Sequence, residues 1–180
     1  MYKIQITTPL GSMLLAAAEE GLVGAWFLGQ RHFPAGVHSW TPKRTSLLEQ
    51  AEQEIIAYLD GDRLSFSLPL AMRGTAFQRA VWAYLRTIPY AKTASYGHIA
   101  QALARPSAAR AVGAAVGRNP FTLIVPCHRV VSADGAMTGY AAGIERKQRL
   151  IALEASSVRA LQPAKRASQP AGHDQPPGGD

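Results

Sequence analysis

Apolar and polar residues alternate at the start of the chain. In YKIQI, Tyr2, Ile4 and Ile6 share one side and Lys3 and Gln5 the other, the two-residue period of a half-buried strand. A PLGS turn, the apolar run MLLAAA, an EEG turn and LVGAWFL follow, which predicts an antiparallel meander. QRHFPAGVHSWTPKR has no period and reads as a loop. The spacing then becomes helical. Leu48, Ala51, Ile55 and Leu59 form one stripe behind a capping box of Ser46 and Glu49, and Gly61 ends it. A second box, Thr75 and Gln78, opens a stripe of Phe77, Val81, Leu85 and Ile88 that Pro89 closes. Tyr96, Ile99, Ala100 and Leu103 lie along a short helix in SYGHIAQALA, RPS turns the chain, and Ser107 is placed to cap AARAVGAAVG. Two short helices joined by about three residues read as a helix-turn-helix. IERKQRLIALE, residues 144–154, forms a last helix, and the aperiodic Pro-, Gly-, Ser- and Gln-rich remainder is expected to be disordered. The pattern predicts an α+β chain: a structural domain over 1–74, a helical domain over 75–154 and a tail over 155–180.

Composition narrows this. A length of 180 residues with 47% hydrophobic content supports a real core. A single cysteine rules out a disulfide within the chain and a cysteine-based zinc cage, and fits a reducing cytosol. MYKIQITTPLGS has no signal-peptide core, and no apolar run nears the roughly 18 residues of a membrane span. A cytoplasmic protein with no membrane partner is expected. Residues 1–74 carry six Lys and Arg against seven Asp and Glu, residues 75–154 ten against three, and residues 155–180 three against two. The whole excess of +7 therefore sits in the middle segment. That is the footprint of a polyanionic partner, with a solvated basic surface as the plain alternative. His32 and His38 have no carboxylate or cysteine at ligand spacing and read as loop histidines.

The candidate chemistry lies in the same basic segment. Gly113 and Gly117 each cost about 1 kcal/mol relative to alanine inside a helix. The helix that carries them projects little side chain, so either a neighbouring helix packs tightly on it or a ligand approaches its backbone. Arg110 lies in the first turn, where the helix dipole disfavours a cation but where recognition helices contact DNA; a surface ion pair is the alternative. Cys127 stands between Pro126 and His128. Neighbouring residues of an extended segment face opposite ways, so unless the backbone turns at Pro126 the imidazole must reach the sulfur through water. Glu154 shares a helical face with Leu150 and Ile151, and a carboxylate on an apolar stripe needs a buried partner, either His128 or an arginine. Asn119, before Pro120, either ties the helix end to the cysteine loop or is a plain C-cap.

PCHRV at 126–130, RAVGAAVGRNP at 110–120 and YGHIA at 96–100 together resemble the O6-alkylguanine-DNA alkyltransferases, also called methylated-DNA–protein-cysteine methyltransferases. The likeness is specific over residues 75–154 and looser before them, through the strand pattern and GLVGAWFLGQRHFP. It implies a ribonuclease-H-like N-terminal sheet with a helix and a winged-helix-type C-terminal domain. The activity implied is irreversible transfer of an alkyl group from O6-alkylguanine, with O4-alkylthymine as a further substrate, in duplex DNA bound through its minor groove. Each molecule reacts once, as a monomer with no obligate protein partner and no cofactor. By this resemblance Cys127 is the acceptor, linked by His128 and water to Glu154, and Tyr96 assists departure of the flipped guanine. Arg110 fills the gap in the duplex, with Ala109, Ala111 and Gly113 beside it on the DNA. Asn119 is the hinge, while Pro126, Val130, Tyr140, Ala141 and Ala142 form the pocket. The carbonyls of Cys127 and Val130 read the exocyclic amine, and the Ala141 amide faces O6. The zinc-binding cysteines of some members are absent, so no metal is expected, and the chain resembles the stand-alone repair form rather than the inducible regulators. Ala142 replaces a glycine usual in the family loop, which predicts a narrower pocket. The rival readings are a lesion sensor that lacks the acceptor, a helix-turn-helix regulator with a structural cysteine, and a Cys-His hydrolase.

Overall fold

A computed structural model describes residues 1–161. Strands β1 (Tyr2–Ile6), β2 (Met13–Ala18) and β3 (Gly21–Phe27) pair as the antiparallel meander that the pattern predicts. MLLAAA does not alternate because both its faces are covered. Met13, Leu15 and Ala17 enter the main core, while Leu14 and Ala16 lie with Trp26 beneath Phe33, Val37 and Trp40. The aperiodic stretch after β3 is thus a lid over the outer face of the sheet. It contains a short 3-10 turn at Val37–Ser39 and the edge strand β4 (Thr41–Pro42), which runs parallel to β1 and completes the order β3-β2-β1-β4.

Helix α1 (Ser46–Leu59) is capped one residue earlier than expected. The hydroxyl of Thr45, not Ser46, accepts from the Leu48 amide, so Ser46 and Glu49 form no capping box. Helix α2 (Ala76–Leu85) carries the Thr75–Gln78 box in full but ends before Pro89, where the Thr87 hydroxyl donates to the Tyr84 carbonyl. Ile88 remains buried beyond its end. Helices α3 (Tyr96–Ala102) and α4 (Ala109–Gly117) make the helix-turn-helix. Their connection is longer than expected, with Ala104 in the left-handed region and a 3-10 turn at Pro106–Ala108. Ser107 falls inside that turn, and α4 has no side-chain cap. Helix α5 (Ile144–Leu161) runs past Glu154, because Ser156 and Ser157 bond back to the Leu153 carbonyl instead of breaking the ladder. Residues 155–161 are therefore helix rather than tail, and the remainder of the expected tail lies outside the described residues.

One feature of the packing positions the site. The free edge of β3 is covered by two pieces of chain. The amide of Leu22 donates to Pro69 O and that of Ala71 to Leu22 O, each at 2.8 Å. Further along, Ala25 donates to Pro120 O and Thr122 to Ala25 O, each at 2.9 Å. Gly24 permits this approach, since a Cβ there would lie 2.8 Å from Pro120 O. On the other side of Cys127, β6 (Val130–Val131) pairs parallel with β5 (Ala94–Ser95). The cysteine turn is thus pinned upstream by the N-terminal sheet and downstream by the segment leading into α3. A single apolar cluster joins Ile4, Phe27 and Tyr58 to Val81, Ile99, Val112 and Cys127. No described helix is long and apolar enough to cross a membrane.

Candidate active site

The backbone does turn at Pro126 (φ −77°, ψ 63°), and Cys127–Arg129 form one 3-10 turn. Just before it, Leu123 adopts φ 79°, a costly conformation for a leucine, closed by a hydrogen bond from Val125 N to Phe121 O. Asn119 holds this turn together. Its Oδ1 accepts from Phe121 N at 3.0 Å, and its Nδ2 donates to Val125 O at 2.9 Å and to Cys127 Sγ at 3.1 Å. A plain C-cap would make none of these long-reaching bonds; the side chain joins the end of α4 to the sulfur.

Cys127 is 4% exposed. Burial pushes its thiol up, and the Asn119 amide and the Lys147 charge only partly oppose this. The resting sulfur is therefore a thiol, which needs a base before it can attack. The imidazole of His128 is fully buried, with Nε2 2.6 Å from Glu154 Oε1 and Nδ1 without a hydrogen-bond partner among the described residues. Burial lowers the His128 pKa, against the opposing pull of Glu154. The neutral ring next to an ionised carboxylate must carry its proton on Nε2, which leaves Nδ1 as the basic atom.

Glu154 settles the choice between histidine and arginine by taking both. Oε1 accepts from His128, from Tyr58 Oη and from Arg129 Nε (3.1 Å); Oε2 accepts from Arg129 Nε (3.1 Å) and from the Ala91 amide (2.8 Å). Burial alone would raise this carboxyl, but the donors outweigh it and hold it down at about 2. Arg129 is fixed in turn by Ile88 O at 2.7 Å. Lys147, two helical turns before Glu154 on the same face of α5, is also buried, and its Nζ donates to Val130 O (2.5 Å) and Thr138 O (3.0 Å).

A cleft of about 290 Å³ opens beside this array, lined by Tyr96, by Gly113, Ala114 and Gly117 of α4, and by Gly139, Tyr140 and Ala141. Arg31 and His32 close it from the N-terminal half, and the Arg31 amide donates to Ala141 O at 2.9 Å. Tyr140 links cleft to sulfur: its buried hydroxyl has no hydrogen-bond partner among the described residues, and burial and the neighbouring Cys127 both push it far up. The glycines of α4 are not there for helix packing. A Cβ on Gly113 would meet the Tyr96 ring at an ordinary 3.7 Å, and one on Gly117 would meet nothing within 4 Å. Arg110 and Ala111 are exposed on the same helix and Ala109 is half-buried. Among the described residues Arg110 has no ion-pair partner, against the surface-pair alternative. The Tyr96 hydroxyl reaches Thr138 O at 3.2 Å.

Three expected pocket residues are placed otherwise. Pro126 lines a separate cavity with Tyr58, Phe66 and Arg129, and Val130 is fully buried with its carbonyl engaged by Lys147. Ala142 is 3% exposed, packs in the main core and does not line the cleft. Its methyl therefore does not narrow the pocket. Ala142→Gly is expected to leave the ratio of methyl to benzyl transfer unchanged and to cost about 1 kcal/mol of stability. Urea unfolding together with paired transfer rates checks both halves.

Sequence reasoning missed Tyr58, Arg129, Lys147, Arg31 and His32. For two of them a signal existed: Lys147 is a second charge on the apolar stripe of Glu154, and Tyr58 is a phenol on the buried stripe of α1 that needs a partner. The other three depend on contacts between distant segments.

Known proteins carry the same arrangement of sequence and fold. The family models described as "6-O-methylguanine DNA methyltransferase, ribonuclease-like domain" and "6-O-methylguanine DNA methyltransferase, DNA binding domain" match residues 1–72 and 76–156. The methylated-DNA–protein-cysteine methyltransferase of Methanosarcina acetivorans is 42% identical over 87% of this chain and 99% of its own. That of Mycobacterium bovis is 44% identical over 86% and 93%. The crystal structure of Mycobacterium tuberculosis OGT in complex with DNA superposes with a TM-score of 0.81 at 42% identity, covering 87% of this chain and 94% of that one. The chain is a member of the O6-methylguanine-DNA methyltransferase family.

Proposed function

We propose that this protein repairs alkylated DNA by moving the alkyl group of O6-alkylguanine irreversibly onto Cys127, once per molecule. The observation that carries this reading is the lone thiol tied to Asn119 and flanked by a neutral, Glu154-anchored histidine, next to a cleft under the open, glycine-bearing face of α4. The thiol proton passes through water to His128 Nδ1, whose rising charge the Glu154 carboxylate stabilises. The thiolate attacks the saturated carbon in line; the S–C bond forms, the C–O6 bond breaks, and its electron pair stays with guanine. A hydrogen bond from the Tyr96 hydroxyl to the ring offsets that negative charge, which lowers the barrier. The thioether product has no route back to thiol.

The substrate in this reading is duplex DNA with the lesion flipped out, at a cost of a few kcal/mol. O4-alkylthymine is a secondary substrate. The acceptor and DNA-binding unit starts near Thr75, the protein acts as a cytoplasmic monomer, and its DNA affinity falls with salt as counterions are released. Incubation with a duplex carrying O6-methylguanine, followed by mass mapping, tests it. One methyl on Cys127, absent in Cys127→Ala, is the expected result. Turnover beyond one methyl per chain contradicts it, and binding without an adduct favours the lesion sensor or the regulator.

A further inference from the structure

We propose that Tyr58, on the N-terminal helix α1, is a positioning residue for alkyl transfer: its hydroxyl sets how strongly Glu154 holds His128, so the N-terminal half of the chain tunes the nucleophile. This rests on Cys127 being the alkyl acceptor.

The Tyr58 hydroxyl donates to Glu154 Oε1, the oxygen that His128 Nε2 meets at 2.6 Å. Donors on one oxygen share its electron density, so what Tyr58 draws is lost to His128. Arg129 Nη2 donates to the phenol oxygen at 3.3 Å, which directs the Tyr58 proton toward the carboxylate. The ring is held by Phe66, stacked at 4.9 Å, and by the edge of Tyr90 at 5.8 Å. Burial and the Glu154 charge keep the phenol protonated, so it is a donor throughout the working range. A phenylalanine could fill the same space; only the hydroxyl can compete at this oxygen. The other titratable and charged groups around the array are Lys147 from α5, Arg129 in the cysteine turn, Tyr140 from the following loop, Tyr96 from α3 and Tyr90 after α2. None of these groups is altered chemically when Tyr58 alone is changed.

The test is the pH dependence of single-turnover benzylation of Cys127 by free O6-benzylguanine, followed by intact mass. In Tyr58→Phe, Glu154 becomes a stronger acceptor and His128 Nδ1 more basic, so the ring sheds its proton only at higher pH and the midpoint of the rate profile is expected to move up by about one pH unit. Site-specific 3-fluorotyrosine at position 58 keeps the ring and makes a stronger donor, and its midpoint is expected to move down. Coincident midpoints for wild type and both Tyr58 variants overturn the proposal while leaving Cys127 as the acceptor. A wild type that is never benzylated removes both.

Discussion

Glu154→Gln is expected to slow alkylation of Cys127 by about 100-fold and to destabilise the fold by about 3–5 kcal/mol. Every group that meets this side chain is a donor: His128 Nε2, Tyr58 Oη, Arg129 Nε and the Ala91 amide. A glutamine of the same shape turns an NH2 toward some of them, which strands buried donors and leaves the Arg129 charge without its counter-ion. The kinetic loss has a separate origin. Without the negative charge, a proton arriving at Nδ1 is no longer stabilised and the ring is free to change tautomer.

The same variant alters the acid limb of stability. The folded-state pKa of Glu154 is depressed from an ordinary 4.5 to about 2, so the carboxylate stabilises the fold above 4.5 and that contribution disappears as pH falls through about 2. It amounts to about 3 kcal/mol. His128 acts in the same direction and earlier. Its folded-state pKa is lowered from 6.5, so below 6.5 the unfolded chain takes up the proton more readily and stability declines. Urea unfolding at a series of pH values is expected to show two successive losses in the wild type and no loss between pH 4.5 and 2 from this site in Glu154→Gln. A variant with the wild-type acid profile would show that the carboxylate is not the group being titrated.

Arg110→Ala is expected to lower the repair rate on duplex DNA by about 10–100-fold, while reaction with the free base stays near that of the wild type. Arg110 is exposed in the first turn of α4, with no ion-pair partner among the described residues, so its removal takes nothing from the fold. What it takes is a side chain that offsets the cost of extruding a nucleotide, a cost of a few kcal/mol that a free base never incurs. Single-turnover rates on both substrates separate the two. An equal loss on both would place Arg110 in the pocket rather than in the duplex.

How much of this was legible in the chain depended on whether local forces decided it. The meander, α2 with its capping box, the helix-turn-helix and the Cys127–His128 pair all follow from periods, caps and turns a few residues long. Errors came where two local candidates were close in strength. Thr45 and Ser46 are both good caps, and the hydrogen-bonded helix start chose the first. The serines at 156 and 157 can stop a helix or bond back into it, and here they bond back. Glu154 could be recognised as needing a buried partner, yet nothing local could reveal that it would collect four, one of them from α1.

By itself the sequence determined the elements, the segregation of positive charge into residues 75–154, and a thiol beside a histidine, because strand period, capping and charge are properties of neighbouring residues. Only the tertiary structure decided that β3 carries the cysteine turn on its edge and that Tyr58 and Arg129 share the carboxylate with His128. It also moved Ala142 away from the cleft and turned the glycines of α4 toward it. These outcomes depend on which distant surfaces exclude water together and on which buried donors must find an acceptor, and a one-dimensional pattern does not contain either.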